Sequence, residues 1–335
     1  MTEKNDLSQK LDNELIYKIK EAKKQITAEL SKIIIGQNEV IEQIIVSLFS
    51  CGHCLLVGVP GLAKTLMVRT LAKTINLEFK RIQFTPDLMP SDITGTNILE
   101  EDAQRVRNFK FHKGPLFANI ILADEINRTP PKTQAALLEA MQEQKVTVSG
   151  FSYDLPKPFL VLATQNPIEQ EGTYPLPEAQ LDRFMFCILI NYPTKEEEEQ
   201  ILLDTTKDVC ENINCVIDGE TIIKLQNLVR QVPVSKHVVS YTTSLIRSTR
   251  PEMAESPDFV KRWARWGAGT RAGQYLILAA KTHVLLSGRE NFSVSCSDIK
   301  KFALPVLRHR IFCNFVASSE GITTDAFITK LIKEI

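Results

Sequence analysis

A short apolar run followed at once by a glycine loop constrains the fold of this chain more than any other feature. The run Cys54–Val57 has the composition of a buried strand, and the residues after it, Gly58–Thr65, read GVPGLAKT. They match the pattern G-x-x-x-x-G-K-[ST], except that Ala63 stands at the second glycine. In such a loop the chain turns tightly, so that backbone N–H groups converge on phosphate oxygens at the start of a helix. The pattern predicts a strand, a phosphate-binding loop and a helix, in this order.

The two residues that end this loop suit a nucleoside triphosphate. Lys64 offers a positive charge to the β- and γ-phosphates, and Thr65 offers a hydroxyl ligand to Mg²⁺. Gly58 and Gly61 give the backbone freedom at two points, and the small Ala63 still permits a close approach. We therefore expect ATP and Mg²⁺ as the cofactors of this site.

Three further apolar runs have the length of buried strands, at Ile120–Ala123, Phe159–Thr164 and Met185–Ile190. Helical patterns accompany them at 38–50, 64–75 and 133–144. Alternating strands and helices are typical of an α/β fold with a parallel sheet flanked by helices. An amphipathic helix is predicted before the first strand, because apolar residues recur there at helical spacing. These residues are Leu7, Leu11, Leu15, Ile19, Ala22, Ile26 and Leu30.

Polar side chains follow two of the predicted strands directly. Asp124 and Glu125 come after Ile120–Ala123, at the carboxyl edge of the sheet, where ligands bind in open α/β folds. We expect Asp124 to join Thr65 in holding Mg²⁺, and Glu125 to act as general base toward an attacking water. This pair favours a hydrolase over a small-molecule kinase. Asn166, in the sequence ATQNP, is expected to orient that water, although Asn-Pro is also common in turns.

The character of the chain changes near residue 192. Thr194 and Glu197 form a capping-box pattern just after Pro193, which predicts the start of a helix. Beyond it the strand candidates thin out, and helical patterns dominate at 221–232, 275–287 and 297–304. A length of 335 residues suits about two domains. We predict an α/β domain over 1–192 and a smaller all-α domain over 193–335.

Composition disfavours several other classes of protein. The formal net charge is 0, and neither domain is basic, which argues against a protein that coats nucleic acid or an anionic membrane. No apolar run is long enough to span a membrane, and the polar N-terminus does not resemble a secretory signal. The seven scattered cysteines suggest a reducing cytoplasm. Cys51 and Cys54 have the spacing of a metal or redox pair, but Cys54 begins a strand, which favours a place in the core.

Together these motifs resemble those of AAA+ ATPases of the MoxR family. The resemblance implies a P-loop NTPase core followed by an all-α lid, Mg²⁺-dependent hydrolysis of ATP, and a homo-oligomer with six subunits in a ring. It also implies a chaperone of the bacterial cytoplasm that matures protein complexes, with a von Willebrand factor A-type protein and a client complex as partners. The matching segments cover most of the chain. They are Gly58–Thr65, Leu122–Arg128, Thr129–Met141, Ala163–Pro167, Glu178–Phe184, Gly267–Arg271 and Val306–Ile311.

The resemblance also implies roles for single residues. Arg183 matches the arginine finger, which reaches the γ-phosphate bound by a neighbouring subunit, although from sequence alone a surface arginine is equally plausible. Arg271 matches the second sensor, a lid arginine that approaches the phosphates of its own subunit; the family often has Ala-Ser-Pro before it, where this chain has Ala-Gly-Thr. Ile35 and Gly36 match the segment around the adenine. The loop contacts are implied for Val59, Pro60, Gly61, Leu62, Ala63, Lys64, Thr65 and Leu66.

Some readings of the sequence remain open. The segments Phe84–Glu101, continuing into Arg105–Phe111, and Lys145–Asp154 resemble hairpin insertions of the family, with plain surface hairpins as the alternative. Arg128 fits either a further contact across subunits or a local role in helix capping or a salt bridge. The alternative functions are a motor acting on nucleic acid and a nucleotide-regulated scaffold with little turnover. Phe84–Glu101 contains four acids and neither Lys nor Arg, which disfavours nucleic acid.

Overall fold

The computed structural model describes residues 13–101, 107–168, 172–207, 212–289 and 292–335; Leu7, Leu11, Arg105 and Cys210 lie outside them. The elements up to residue 192 are α1 (Asn13–Ser31), α2 (Asn38–Phe49), β1 (Cys54–Val57), α3 (Lys64–Thr74), β2 (Phe79–Gln83), α4 (Pro90–Thr94), β3 (Gly95–Glu101), β4 (Arg107–Lys113), β5 (Ile120–Asp124), a 3₁₀ turn (Ile126–Arg128), α5 (Pro131–Glu143), β6 (Lys145–Val148), β7 (Phe151–Asp154), β8 (Leu160–Gln165), α6 (Glu178–Leu181) and β9 (Phe186–Leu189). Those after it are α7 (Lys195–Thr205), α8 (Gly219–Gln231), α9 (Lys236–Arg247), α10 (Asp258–Trp263), β10 (Ala264–Trp266), α11 (Thr270–Ser287), α12 (Cys296–Lys301), α13 (Ala303–Leu307), β11 (Phe312–Cys313), α14 (Phe315–Ser319) and α15 (Thr324–Glu334).

A five-stranded parallel sheet in the order β2-β5-β8-β1-β9 forms the centre of the first part. The strands predicted from the apolar runs are confirmed, each to within one residue at either end. Residues 120–123 and 160–163 are buried, as expected for strands covered on both faces by helices. Because β5, β8 and β1 are neighbours, the residues that follow them meet at one edge of the sheet. Asp124 is the last residue of β5, and Gly58 and Asn166 directly follow β1 and β8.

The strand β2 is the one member of this sheet that the sequence analysis missed. It forms the edge of the sheet next to β5, and most of its side chains are exposed, whereas Ile82 is buried. An edge strand of this kind lacks the continuous apolar run that identifies a strand buried on both faces. In the register, Gln83 pairs with Asp124, so β2 runs beside the strand that carries the predicted acids.

Helices dominate after residue 193, as predicted. Thr194 caps α7 as expected: its Oγ1 accepts from the Glu197 N–H (3.3 Å), and its own N–H donates to the Glu197 carboxylate (2.9 Å). The single helix predicted over 297–304 is instead two short helices, α12 and α13. The reason is Pro305, which has no N–H to donate to the carbonyl of Lys301, so the helix breaks before it.

The apolar core has two parts, one on each face of the sheet. The smaller part lies between the sheet and α5 and contains Phe84, Leu137 and Phe184. The larger part begins at α1 and continues without interruption along the other face of the sheet into α8, α11 and α15. Cys54 belongs to it and is fully buried, in agreement with a core position. Burial raises the pKa of the Cys54 thiol to about 12, which keeps this group protonated.

Both predicted hairpins are present. The first pairs β3 with β4, from Gly95 opposite Lys113 to Glu101 opposite Arg107, and the second pairs β6 with β7. Phe111 of the first stacks on Tyr153 of the second at 4.1 Å between ring centroids, which joins the two hairpins.

The folded first hairpin corrects the charge argument made from Phe84–Glu101 alone. Its second strand carries basic residues that neutralise the acids of the first strand. Arg107 pairs with Glu101 (3.2 Å), and Lys110 (3.0 Å) and His112 (2.6 Å) both pair with Glu100. The hairpin is therefore of mixed charge and does not form an acidic surface. No helix among the described residues is both long and apolar enough to cross a membrane.

Candidate functional site

The loop between β1 and α3 has the backbone conformation of a tight, concave turn. Gly61 adopts a positive φ of 85°, and Ala63 also lies in the left-handed region, with φ 54° and ψ 20°. Ala63 therefore occupies a conformation that favours glycine, which is the residue type that the pattern predicts at this position. The helix α3 begins directly afterwards at Lys64, so its N-terminal N–H groups face the loop.

Most of the predicted phosphate and metal residues line one cavity of ≈ 450 Å³ at the edge of the sheet. The Lys64 ammonium donates to the carbonyl of Gly58. Burial lowers the pKa of Lys64, while Asp124 and Glu125 act in the opposite direction. The cavity is lined by Pro60, Gly61, Leu62, Ala63, Lys64, Thr65, Leu66, Arg81, Asp124, Glu125, Thr164 and Asn166.

The two acids are held in different ways. Asp124 accepts hydrogen bonds from Thr164 Oγ1 (2.6 Å) and from Arg81 Nη2 (2.7 Å) and Nε (3.0 Å). Glu125 has a positive φ of 56°, and its backbone N–H donates to the same Thr164 hydroxyl at 2.8 Å. The Glu125 carboxylate accepts from Gln83 Nε2 at 2.9 Å. One hydroxyl thus fixes both acidic positions, while two residues of β2 hold their carboxylates.

The donor set of the cavity fits a hard divalent cation. The Asp124 carboxylate and the Thr65 hydroxyl line the same space, and oxygen atoms are the ligands that Mg²⁺ prefers. The Arg81 guanidinium forms an ion pair with Asp124 in this structure, so a metal cation bound to the Asp124 carboxylate would replace that guanidinium. Asn166 is buried near the acids, and its Oδ1 accepts from the Ile168 N–H at 3.2 Å.

A second cavity of ≈ 640 Å³ continues from the first, because both are lined by Gly61, Leu62, Ala63 and Leu66. Ile35 lines its far end, and Pro193 and Ile201 of the helical part form another wall. Gly36 has φ +69° and does not line it, but a Cβ atom there would lie 2.4–2.9 Å from the Glu197 carboxyl group. A side chain at this position would displace the Glu197 carboxyl group and would be strained by the positive φ, so glycine is favoured there.

Four predicted site residues do not line these cavities: Gly36, Val59, Arg183 and Arg271. Arg183 lies in a separate surface pocket, where its Nη1 donates to the carbonyl of Leu138 at 2.6 Å. Arg271 Nη1 lies 3.3 Å from Asp182 Oδ2. The fold therefore does not bring Arg183 to the phosphate site of its own chain, and it places Arg271 beside the Arg183 segment. Arg128 Nη1 lies 3.2 Å from Glu125 Oε2, which favours the local salt bridge over the other interpretation.

Sequence reasoning missed Arg81, Gln83 and Thr164. The first two lie two residues apart on β2, hence on the same face of a strand that was not predicted. Thr164 was part of a predicted strand, and its role follows only from its bonds to Asp124 and Glu125. The one available signal for β2 was the alternation of polar Arg81 and Gln83 with apolar Ile82, which is typical of a half-buried strand.

Comparisons with known proteins agree with this geometry. Residues 53–186 match the family model described as "ATPase family associated with various cellular activities (AAA)", and residues 260–331 match the AAA lid domain. The chain is 42% identical to Chaperone MoxR1 of Mycobacterium tuberculosis, over 92% of this chain and 80% of that protein. This chain belongs to the MoxR family of AAA+ ATPases.

Two further relatives support the family and the fold. The uncharacterized protein YeaC of Bacillus subtilis is 41% identical over 91% of this chain and 92% of its own length. A crystal structure of a protein from Cytophaga hutchinsonii, assigned as an ATPase, superposes with a TM-score of 0.87 at 41% identity, covering 96% of both chains. The sheet with its helices is the AAA domain of the family, and the helical part is its lid.

Proposed function

We propose that this protein is a Mg²⁺-dependent ATPase that acts as a MoxR-type AAA+ chaperone. The observation that carries the proposal is the single cavity at the sheet edge lined by Lys64, Thr65, Asp124, Glu125 and Asn166. In it a cationic side chain, two acids and an amide surround a loop shaped for phosphate. The adjoining cavity between the core and the lid provides space for the adenine base of ATP, and Ile35 forms part of its lining.

Each of these side chains has a task that its position supports. Lys64 neutralises charge on the β- and γ-phosphates, while Thr65 and Asp124 hold the cation. Mg²⁺ would supply charge neutralisation on the phosphate oxygens. Glu125 is placed to take a proton from water. The hydrogen bond that the Gln83 side-chain amide donates to it at 2.9 Å orients its carboxylate. Asn166 orients the same water from the neighbouring strand.

The active site is proposed to be completed by the Arg183 guanidinium of a neighbouring subunit. Two faces of the chain have complementary charge, which supports a head-to-tail ring. The pocket that contains Arg183 also has the exposed acids Glu139 and Glu143 on its wall. The second cavity, which is proposed to hold the adenine base, has four basic residues and one acid, Asp204, on its wall. The basic residues are Lys32, Arg69, Lys73 and Lys207. A ring of six subunits is the assembly we propose.

The proposed partners are a von Willebrand factor A-type protein and a client protein complex, and the client-contacting surface lies on the two hairpins. Large apolar side chains are exposed there, at Ile98, Leu99, Phe109 and Phe151. Exposed apolar clusters of this kind are typical of protein-binding surfaces. Arg107 and Lys110 of the first hairpin are paired with acids, so the exposed apolar side chains are the feature that favours a protein client over nucleic acid. We also propose that the division into core and lid falls at residues 192 and 193.

The experiment that tests the proposal compares the wild type with Glu125→Gln and Arg183→Ala. We expect Glu125→Gln to bind ATP with unchanged affinity and to lose hydrolysis, because only the base is removed. Arg183→Ala should also bind ATP and lose turnover, and wild-type turnover per subunit should rise with protein concentration. Turnover that is independent of concentration would contradict a shared site, and normal turnover of Glu125→Gln would exclude Glu125 as the base. The Glu125→Gln protein is also the form in which to co-purify partners.

A further inference from the structure

The short segment Asp182–Met185, which we call the finger segment because it contains Arg183, is bound by side chains of the lid. All four of its backbone carbonyls accept hydrogen bonds from the lid. Arg310 donates to the carbonyls of Asp182 (2.8 Å), Phe184 and Met185 (3.3 Å). His309 donates from Nε2 to Phe184 (3.0 Å), and the Tyr275 hydroxyl donates to Arg183 (3.1 Å).

These contacts are buried and specific. Arg310 is 4% exposed, and its Nε also donates to Asp182 Oδ1 at 2.7 Å, so one guanidinium holds both the side chain and the backbone of the segment. Its guanidinium carbon lies over the ring of Tyr275, 5.2 Å from the centroid. A planar guanidinium that donates several hydrogen bonds fixes the position of its partners more closely than a single hydrogen bond does. The backbone of the finger segment is therefore held in a defined position relative to the lid.

Arg271 is a second lid arginine that contacts the same aspartate, Asp182. It lies in the first turn of α11, one turn before Tyr275 on the same helix. Asp182 thus has two cationic partners: Arg310, whose side chain is 2% exposed, and Arg271, whose side chain is 38% exposed. The exposed partner at 3.3 Å can be exchanged at little cost, whereas the buried one cannot.

We propose that Tyr275 and Arg310 are positioning residues, which place Arg183 for the neighbouring subunit. This inference rests on the shared active site proposed above.

The test uses mixed rings in which donor and acceptor functions are separated. Arg183→Ala subunits are the acceptors: they retain Lys64 and Glu125 and hydrolyse ATP only with a finger from a neighbour. The donors carry Glu125→Gln, which removes their own turnover, with or without Tyr275→Phe. Loss of one neutral hydrogen bond should lower acceptor turnover about fivefold with the Tyr275→Phe donors. The matched control donor carries Tyr241→Phe, because the Tyr241 hydroxyl has no hydrogen-bond partner among the described residues.

The possible results distinguish a failure of this inference from a failure of the shared active site on which it rests. Equal acceptor turnover with Tyr275→Phe and Tyr241→Phe donors would show that Tyr275 does not position the finger. If Glu125→Gln donors do not restore the Arg183→Ala acceptors at all, the shared site itself is wrong, and the inference falls with it. Unchanged ATP affinity of Tyr275→Phe is expected, with a thermal midpoint lowered by no more than the loss of one hydrogen bond, about 1 kcal/mol, because a general structural defect would alter both.

Discussion

Two arginine–aspartate pairs of this protein have similar geometry and opposite surroundings. Arg81 pairs with Asp124 at 2.7 Å in the phosphate cavity, where the arginine side chain is 49% exposed. Arg310 pairs with Asp182 at the same distance between core and lid, where the arginine side chain is 2% exposed. Exposed pairs contribute little to folding, whereas removing one partner of a buried pair leaves an uncompensated charge. The comparison indicates that the first pair is exchangeable and that the second maintains the structure.

The largest expected effect comes from breaking the buried pair. We expect Arg310→Met to lower the free energy of unfolding by about 3–5 kcal/mol, because Asp182 loses its buried cationic partner and the carbonyls of Asp182 and Met185 lose their donor. Denaturant unfolding measures the change. Arg271→Met, which removes the exposed partner of the same aspartate, is the matched control and should cost less than about 1 kcal/mol. Equal losses in both variants would contradict the difference in burial.

Acid should weaken the finger–lid contact next. Burial, with Arg310 nearby, lowers the pKa of His309 well below its usual value, and burial lowers the pKa of His53 to about 4. Unfolded histidine takes up a proton below pH ~6.5 while the folded protein does not, so stability is complete above that pH and falls as the pH decreases.

The expected slope is about 1.4 kcal/mol per pH unit for each histidine, measured by unfolding between pH 7 and pH 4.5. His309→Gln should reduce this slope, and the further change His53→Gln should remove most of the remainder. An unchanged slope in His309→Gln would show that this side chain is not held neutral in the fold.

A smaller effect, of opposite sign, is expected in the phosphate loop. Ala63 lies at φ 54° and ψ 20°, where a Cβ atom is strained. Ala63→Gly should therefore stabilise the protein by up to about 1 kcal/mol, measured by the thermal midpoint. Ala135→Gly, at an exposed position inside α5, is the control and should destabilise by roughly 0.5–1 kcal/mol. Destabilisation by both changes would exclude strain at Ala63.

The smallest change in stability is expected at the exposed pair. Arg81→Ala should alter the free energy of unfolding by less than about 1 kcal/mol. It should also lower the Mg²⁺ concentration needed for ATP binding, because Asp124 no longer has a competing cation; a titration with Mg²⁺ measures this. A loss of stability comparable to that of Arg310→Met would show that the two pairs serve the same purpose.

Local patterns predicted the main features of the fold. Continuous apolar runs identified β1, β5, β8 and β9, because strands covered on both faces exclude polar residues. The edge strand β2 has no such run, so it was missed, and Arg81 and Gln83 were missed with it. The break between α12 and α13 was also missed, although Pro305 was a local signal for it.

The candidate site divides in the same way. Lys64, Thr65, Asp124, Glu125 and Asn166 were found because each lies at the end of a recognisable strand or loop, and parallel strands bring such ends to one edge. The roles of single site residues remain predictions, and so do the domain boundary and the cytoplasmic location. The positions of Arg183 and Arg271 relative to the cavity could not be derived, because they depend on how the lid packs against the core.

The sequence by itself determined the phosphate loop, the acid pair and the family, since these depend on residues close together in the chain. The tertiary structure decided which groups hold the acids and what holds the finger segment. Thr164 lies 40 residues from Asp124, and Arg310 lies 128 residues from Asp182. Such contacts have no periodicity or spacing in the sequence, because the partners become neighbours only through strand order and the packing of the lid.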